Sequence, residues 1–259
     1  MRTNKFSEIA QVFLKACGSI ELGTKAKTVS LDNIIASLPG VSKKEGYVFE
    51  AVIPGQVGMG GESTPYARKN DVEPLLDLFG EMIPEIKASN TILTNSALLK
   101  ALDFDFTPEG VWSYILLKDL WLHLPLFWHA NYSAVKFILD EDEYPDIACI
   151  REFLTPDGKL PLNYHEMAEE VFKEGEERDF YAYPTMEDLT KALTFCHEIK
   201  LPTVLAHDDE TIDVRFFVWN DWNGLKRMGY QASLYKNGRI KLVKTDDEAI
   251  FHYNCGICF

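Results

Sequence analysis

The sequence predicts an α+β fold in which a helix-rich N-terminal half packs against a mainly antiparallel C-terminal sheet. Most of the elements predicted in the first 130 residues are helices. At the C-terminus, three strand-like segments follow one another without a helical crossover, which favours an antiparallel meander over a doubly wound parallel sheet. We expect the 259 residues to form one compact unit. The alternative is a subdivision into a helix-rich part, 1–130, and a strand-rich acidic part, 131–259.

The N-terminal elements follow from apolar spacing and capping residues. Apolar side chains at Ile9, Val12, Phe13 and Ala16 recur at helical spacing and predict an amphipathic helix. Thr107 is a good N-cap, and Pro108 occupies the first turn that proline tolerates best. Helices are therefore predicted over residues 6–16, after Ser30, over 72–82, over 97–102 and after Thr107. One strand is predicted over 47–53 from its β-branched and aromatic residues, and a glycine-rich loop over 54–70.

The C-terminal half is predicted as strands with two intervening helices, over 164–173 and 185–199. The strands are expected over residues 134–139, 147–154, 214–219, 230–236, 239–244 and 249–253. The turn Asn237-Gly238 separates two of these segments and favours a type I′ hairpin, which would place Lys236 opposite Arg239.

The charge is unevenly distributed along the chain. The formal net charge of −14 divides into −3 for residues 1–130 and −11 for residues 131–259. A surface of that sign repels nucleic acid and anionic lipid as a whole and suits a basic partner or simple solubility. The apolar stretch 111–128 contains Lys118, Asp119, His123 and Pro125, so no membrane span is expected. No export signal is visible, and the five cysteines are interpreted as reduced thiols of a cytoplasmic protein.

One basic segment stands out in this acidic half. Residues 222–245 contain six basic side chains and no acidic one. The predicted hairpin either docks on the acidic body of the same chain, is simply solvated, or binds an external anionic group or partner. Two tryptophans close to it could line a pocket or cover the core. The candidate partner-binding or ligand-binding residues are Lys236, Arg239, Lys241, Trp219 and Trp222.

The C-terminus offers a candidate metal site. Cys255 and Cys258 have the C-x-x-C spacing that brings two sulfur atoms to one side of a tight turn, and His252 could be a third ligand. Such a set suits Zn²⁺. The same thiols could instead form a redox pair or be buried structural cysteines.

No complete catalytic motif is present, so we predict a non-catalytic acidic binding protein whose partner is a protein. The alternative is an enzyme whose site is assembled from distant residues, with metal or thiol chemistry at His252, Cys255 and Cys258. Active sites depend on geometry rather than on sequence neighbours, so this alternative stays open.

Overall fold

The computed structural model describes residues 4–55, 60–76, 91–125, 127–128, 135–139, 201–208, 210–220, 224–235 and 238–251. Of these residues 46% lie in strands and 28% in helices, and only three α-helices are formed. The prediction of a helix-rich N-terminal half is therefore wrong, since eight of the described strands precede residue 130. The antiparallel pairing predicted for the C-terminal half is confirmed.

The main N-terminal sheet has four antiparallel strands in the order β1-β3-β5-β6. They are β1 (Lys27–Ser30), β3 (Tyr47–Ile53), β5 (Thr64–Lys69) and β6 (Ile92–Thr94). Strand β3 has the predicted bounds, whereas β5 lies in the segment predicted as a loop. Pro65 is tolerated in β5 because it lies beyond the stretch, Tyr66 to Arg68, that pairs with β6.

Two short ribbons complete the N-terminal strands. β2 (Val41–Lys43) pairs with β7 (Leu102–Phe104), and β4 (Gly60–Gly61) pairs with β8 (Phe127–Trp128). The helix predicted over 97–102 is a 3-10 helix, Asn95–Ala101. Its alanines and leucines favour an α-helix. The residues directly before and after it, however, belong to the paired strands β6 and β7. Only seven residues remain between two paired strands, and they form the tighter helix.

Two of the three described α-helices begin at side-chain caps. In α1 (Lys5–Gly18), the Asn4 side chain accepts hydrogen bonds from the backbone N–H groups of Phe6 (3.0 Å) and Ser7 (2.9 Å). The short α2 (Asp32–Ala36) follows β1. In α3 (Pro108–Lys118), Thr107 caps the Gly110 N–H as predicted. A second 3-10 helix, Leu120–His123, continues from α3.

The C-terminal sheet consists of long antiparallel strands in the order β10-β11-β12-β13, with β9 paired to β11. The strands are β9 (Lys136–Phe137), β10 (Thr203–Asp208), β11 (Thr211–Asn220), β12 (Gly224–Leu234) and β13 (Ile240–Phe251). Strand β13 joins two segments that were predicted as separate strands. Its register with β12 shifts twice, once at Thr245 and once at Ile250, and the pairing continues on both sides of each shift.

Strands β12 and β13 pair on either side of the predicted Asn-Gly turn. The Gly238 N–H donates to the Tyr235 carbonyl (2.8 Å), and the Tyr235 N–H donates to the Arg239 carbonyl (2.9 Å). Gly238 has a positive φ of 73°. The pairing of Leu234 with Ile240 and the bond from Tyr235 to Arg239 place Tyr235 opposite Arg239. The sequence predicts Lys236 at that position.

One hydrophobic cluster contains buried side chains from both halves of the chain. Trp112 of α3 belongs to it, with its ring centroid 5.2 Å from Phe216 of β11 and 5.9 Å from Phe137 of β9. The Trp112 Nε1–H donates to the carbonyl of Phe6 in α1 (2.9 Å). The subdivision at residue 130 nevertheless stays a prediction.

Within the described part of the chain, no helix combines the length and the hydropathy needed to cross a membrane.

Several predicted elements lie outside the described residues. They are the strand over 147–154, the helices over 164–173 and 185–199, and most of the helix over 72–82.

Candidate functional site

A cavity of about 230 Å³ lies between the C-terminal sheet and the elements that cover it, α3 and the second 3-10 helix. Its apolar walls include Ile115 of α3, Phe137 of β9, and Phe216 and Val218 of β11. All four side chains are buried. The cavity is therefore bounded by the same hydrophobic cluster that joins the two halves of the chain.

Strand pairing explains which side chains of the sheet face this cavity. Directly paired residues of neighbouring antiparallel strands share one face, and alternate residues of a strand return to it. Lys226 is paired with Val218, and Tyr230 is paired with Lys244. Lys226 and Tyr230 therefore project from the same face of the sheet as the apolar wall.

Charged groups lie where the cavity meets solvent. Asp247 accepts a hydrogen bond from Lys244 Nζ (2.8 Å), and Lys226 Nζ lies 3.8 Å from its other oxygen. Asp119 also lines the cavity and accepts a hydrogen bond from the Nζ of Lys118 (3.3 Å), which lies outside the lining. The hydrogen bond between Lys244 and Asp247 raises the pKa of Lys244 and lowers the pKa of Asp247. Both groups are therefore held in their charged forms at the mouth.

His123 is the one imidazole among the described residues of the cavity wall. Its ring packs against Phe13 (centroids 5.6 Å apart) and Phe137 (5.2 Å). Burial lowers the pKa of His123 to about 4, although the nearby Asp119 carboxylate opposes that shift. The imidazole is thus neutral near pH 7 and presents a weakly polar group to the cavity.

Much of the predicted basic segment is neutralised across the sheet. Arg227 donates to Asp246 and to Glu248, in addition to the contacts of Lys226 and Lys244 with Asp247. These acids begin at residue 246, one position beyond the segment in which no acidic residue was found. The sequence therefore shows a basic island where the structure shows paired charges.

Two of the candidate binding residues remain at the exposed end of the hairpin. Arg239 and Lys241 are exposed. The Lys241 Nζ lies 5.9 Å from the centroid of the Tyr235 ring, which is also exposed. Trp219, by contrast, is buried in β11. The structure does not bring these three residues to the cavity.

The remaining candidate residues, Lys236, Trp222, His252, Cys255 and Cys258, lie outside the described residues. The Zn²⁺ site therefore stays a prediction. Among the residues that the structure does describe, no group of three or more His, Cys, Asp or Glu side chains is placed to hold a metal ion. The described thiol, Cys17, is buried and free, and burial raises its pKa to about 12.

Sequence reasoning missed the cavity although it noted several of its residues. Asp119 and His123 appeared only as polar interruptions of an apolar stretch, and Lys226 and Lys244 only as parts of a basic segment. The alternation of Lys226, Met228 and Tyr230 on one face of a strand was the available signal. It indicates a shared face, but it does not indicate what covers that face.

Searches against protein families, curated proteins and solved structures found no match to the chain. The function is therefore argued from the geometry of the cavity.

Proposed function

We propose that the chain is a non-catalytic binding protein and that the cavity between the C-terminal sheet and α3 holds a small molecule. One observation carries this proposal. The walls of the cavity are buried and apolar, whereas its charged groups are gathered at the mouth. Ligand sites have this arrangement because the apolar walls supply affinity and a few polar groups orient the ligand.

The dimensions of the cavity limit its ligand. Its volume of about 230 Å³ lies below the range of about 300–1,000 Å³ that is usual for drug-sized ligands. The ligand is therefore a small molecule that buries a short aliphatic chain or a single ring. The aromatic side chains of Phe137 and Phe216 supply contact area for either.

The test is calorimetric titration of the purified chain with hexanol, cyclohexanol, hexanoate and benzoate as probes. Val218→Phe adds volume inside the cavity, and we expect it to abolish binding. Val243→Phe makes the same change at an exposed position of the same sheet and serves as the matched control. If none of the probes binds, or if Val218→Phe binds as well as the unmodified chain, the proposal is wrong.

The protein partner expected from the charge asymmetry stays a prediction. The ion pairs between β12 and β13 occupy carboxylates that the sequence alone would offer to a basic partner. An enzyme with metal or thiol chemistry at the C-terminus also stays a prediction, because those residues lie outside the described part of the chain.

A further inference from the structure

We infer that the ligand of this cavity is a small monocarboxylic acid whose carboxylate binds Lys226 and whose apolar body lies against Val218, Phe216 and Phe137. This inference rests on the proposed function, because it names the chemical class of the molecule that the cavity holds.

The first argument is the charge balance at the mouth. Among the described residues, four side chains with a formal charge line the cavity: Asp119, Lys226, Lys244 and Asp247. Asp119 accepts a hydrogen bond from Lys118, which lies outside this lining, and Asp247 accepts one from Lys244. Lys226 is then the one charge of this described lining without a hydrogen-bonded counter-charge, so one positive charge remains. This local excess occurs in a chain whose formal net charge is −14. A ligand that carries one negative charge would balance the mouth.

The second argument identifies the lysine that has binding capacity left. Lys244 Nζ lies 2.8 Å from Asp247, which is a hydrogen bond, whereas Lys226 Nζ lies 3.8 Å from the same carboxylate. At that distance the two charges attract but do not share a hydrogen bond. The ammonium group of Lys226 can therefore donate to a carboxylate of the ligand without breaking a bond that it already makes.

The third argument is the position of Lys226 on the sheet. It is paired with Val218 and shares the inner face with Met228, and both of these neighbours line the cavity. The Lys226 side chain is 32% exposed. A lysine in this situation lays its methylene stem along the apolar wall and keeps its ammonium group at the solvent. A carboxylate at that ammonium would place the attached apolar body against the wall.

Other ligand classes fit the charges less well. A cationic ligand needs a free carboxylate, but Asp119 and Asp247 each face a lysine. A phosphate monoester carries close to two negative charges at neutral pH, whereas the mouth has an excess of one. The volume of the cavity further limits the acid to a short chain or a single ring.

The experiment compares acids with their neutral amides, which have nearly the same shape. Hexanoate and hexanamide form one pair, and benzoate and benzamide form the other. We expect each acid to bind about tenfold tighter than its amide, since hydrogen bonds to charged groups contribute more than neutral ones. The difference is expected to shrink as ionic strength rises, because the mouth is accessible to salt.

Variants of Lys226 test the assignment of the carboxylate. Lys226→Met keeps the apolar stem and is expected to remove the preference for the acid, whereas Lys226→Arg is expected to retain it. Lys241→Met removes a lysine from the opposite face of the same sheet and is expected to leave the preference unchanged. Thermal unfolding of each variant confirms that it is folded.

The outcomes separate this inference from the proposed function. Equal affinity for acid and amide contradicts the inference that the ligand is a carboxylic acid, but it leaves the proposed binding function standing. Tighter binding of phenyl phosphate than of benzoate also overturns it in favour of a dianion. A preference that persists in Lys226→Met contradicts the role of Lys226. Failure of the alcohols, the acids and the amides alike to bind overturns the proposed function itself.

Discussion

The Glu50 carboxylate on β3 is held by two side chains of the neighbouring strand β5. Arg68 donates to both of its oxygens (Nε 2.8 Å, Nη2 2.9 Å), and the Tyr66 hydroxyl donates as well (2.7 Å). Burial raises the pKa of Glu50, but the hydrogen bonds from Arg68 and Tyr66 together hold it below its usual value. The carboxylate is therefore charged inside the fold and depends on Arg68 for its compensation.

Replacing Arg68 tests this dependence. The side chains of Arg68 and Glu50 are only 12% and 13% exposed, so Arg68→Met leaves a mostly buried charge without its partner. We expect a loss of about 3 kcal/mol in the free energy of unfolding, measured by urea denaturation. Lys43→Met breaks an exposed ion pair with Asp32 and is the control, with an expected loss below about 1 kcal/mol. Equal losses of stability in the two variants would show that burial does not determine how much an ion pair contributes to stability.

His123 makes the stability of the fold depend on pH. Its pKa is about 4 in the folded chain against an ordinary value of 6.5, so the unfolded chain binds the proton first as the pH falls. The neutral imidazole therefore contributes fully to the free energy of unfolding above pH 6.5. That free energy falls by at most about 3 kcal/mol as the pH decreases from 6.5 towards 4. His123→Phe preserves the ring contacts and is expected to lose less stability over this interval. Parallel stability curves for the two proteins would contradict the prediction.

At the scale of elements, the start of α3 depends on a close approach of two backbone segments. A Cβ atom added to Gly110 would lie 2.1 Å from the carbonyl oxygen of Asp105. The Asp105 N–H in turn donates to the Gly40 carbonyl (2.8 Å). The first turn of α3 is thus packed directly on the segment that leads into it, and no side chain fits between them.

Gly110→Ala tests this packing against the intrinsic preference for alanine in helices. Alanine favours a helix over glycine by about 1 kcal/mol, but the clash is expected to outweigh this and to destabilise the fold by about 1–3 kcal/mol. Gly18→Ala at the end of α1 meets nothing within 4 Å and is expected to be neutral or stabilising. Thermal unfolding of both variants gives the comparison. A stabilised Gly110→Ala variant would show that the backbone around Asp105 moves away to make room for the added methyl group.

At the scale of the whole molecule, Trp112 joins the two halves of the chain. It is fully buried, donates to Phe6 at the start of α1, and packs against Phe137 and Phe216 of the C-terminal sheet. Contacts of this kind make separate unfolding of the two halves unfavourable, because each would leave the tryptophan without its packing.

We therefore expect one cooperative unfolding transition, and Trp112→Ala is expected to lower the free energy of unfolding by about 3–5 kcal/mol. Hydrogen exchange should show that amides of α1 and of the C-terminal sheet lose protection together. Val12→Ala at an exposed position of α1 is the control, with little expected change. Two separate transitions would support a subdivision at residue 130 instead.

Elements whose signals are local were predictable from the sequence. The spacing of Ile9, Val12 and Phe13 indicates α1, the composition of β3 indicates a strand, and Thr107 with Pro108 marks the start of α3. Elements that depend on partners were missed. The segment at 95–101 has the composition of an α-helix, but it forms a 3-10 helix because it lies between the paired strands β6 and β7. Strand β5 lies in the segment predicted as a loop from its clustered glycines, and its pairing with β3 and β6 cannot be read from that composition.

Within the described part of the chain, local patterns determined the caps, the amphipathic helix, strand β3 and the position of the Asn-Gly hairpin. The tertiary structure decided the large share of sheet, the partners of the basic side chains, and the cavity with its charged mouth. The reason is the range of the interactions. A helix or a turn depends on residues a few positions apart, whereas Lys226 meets Asp247 and Val218 only after distant segments have paired.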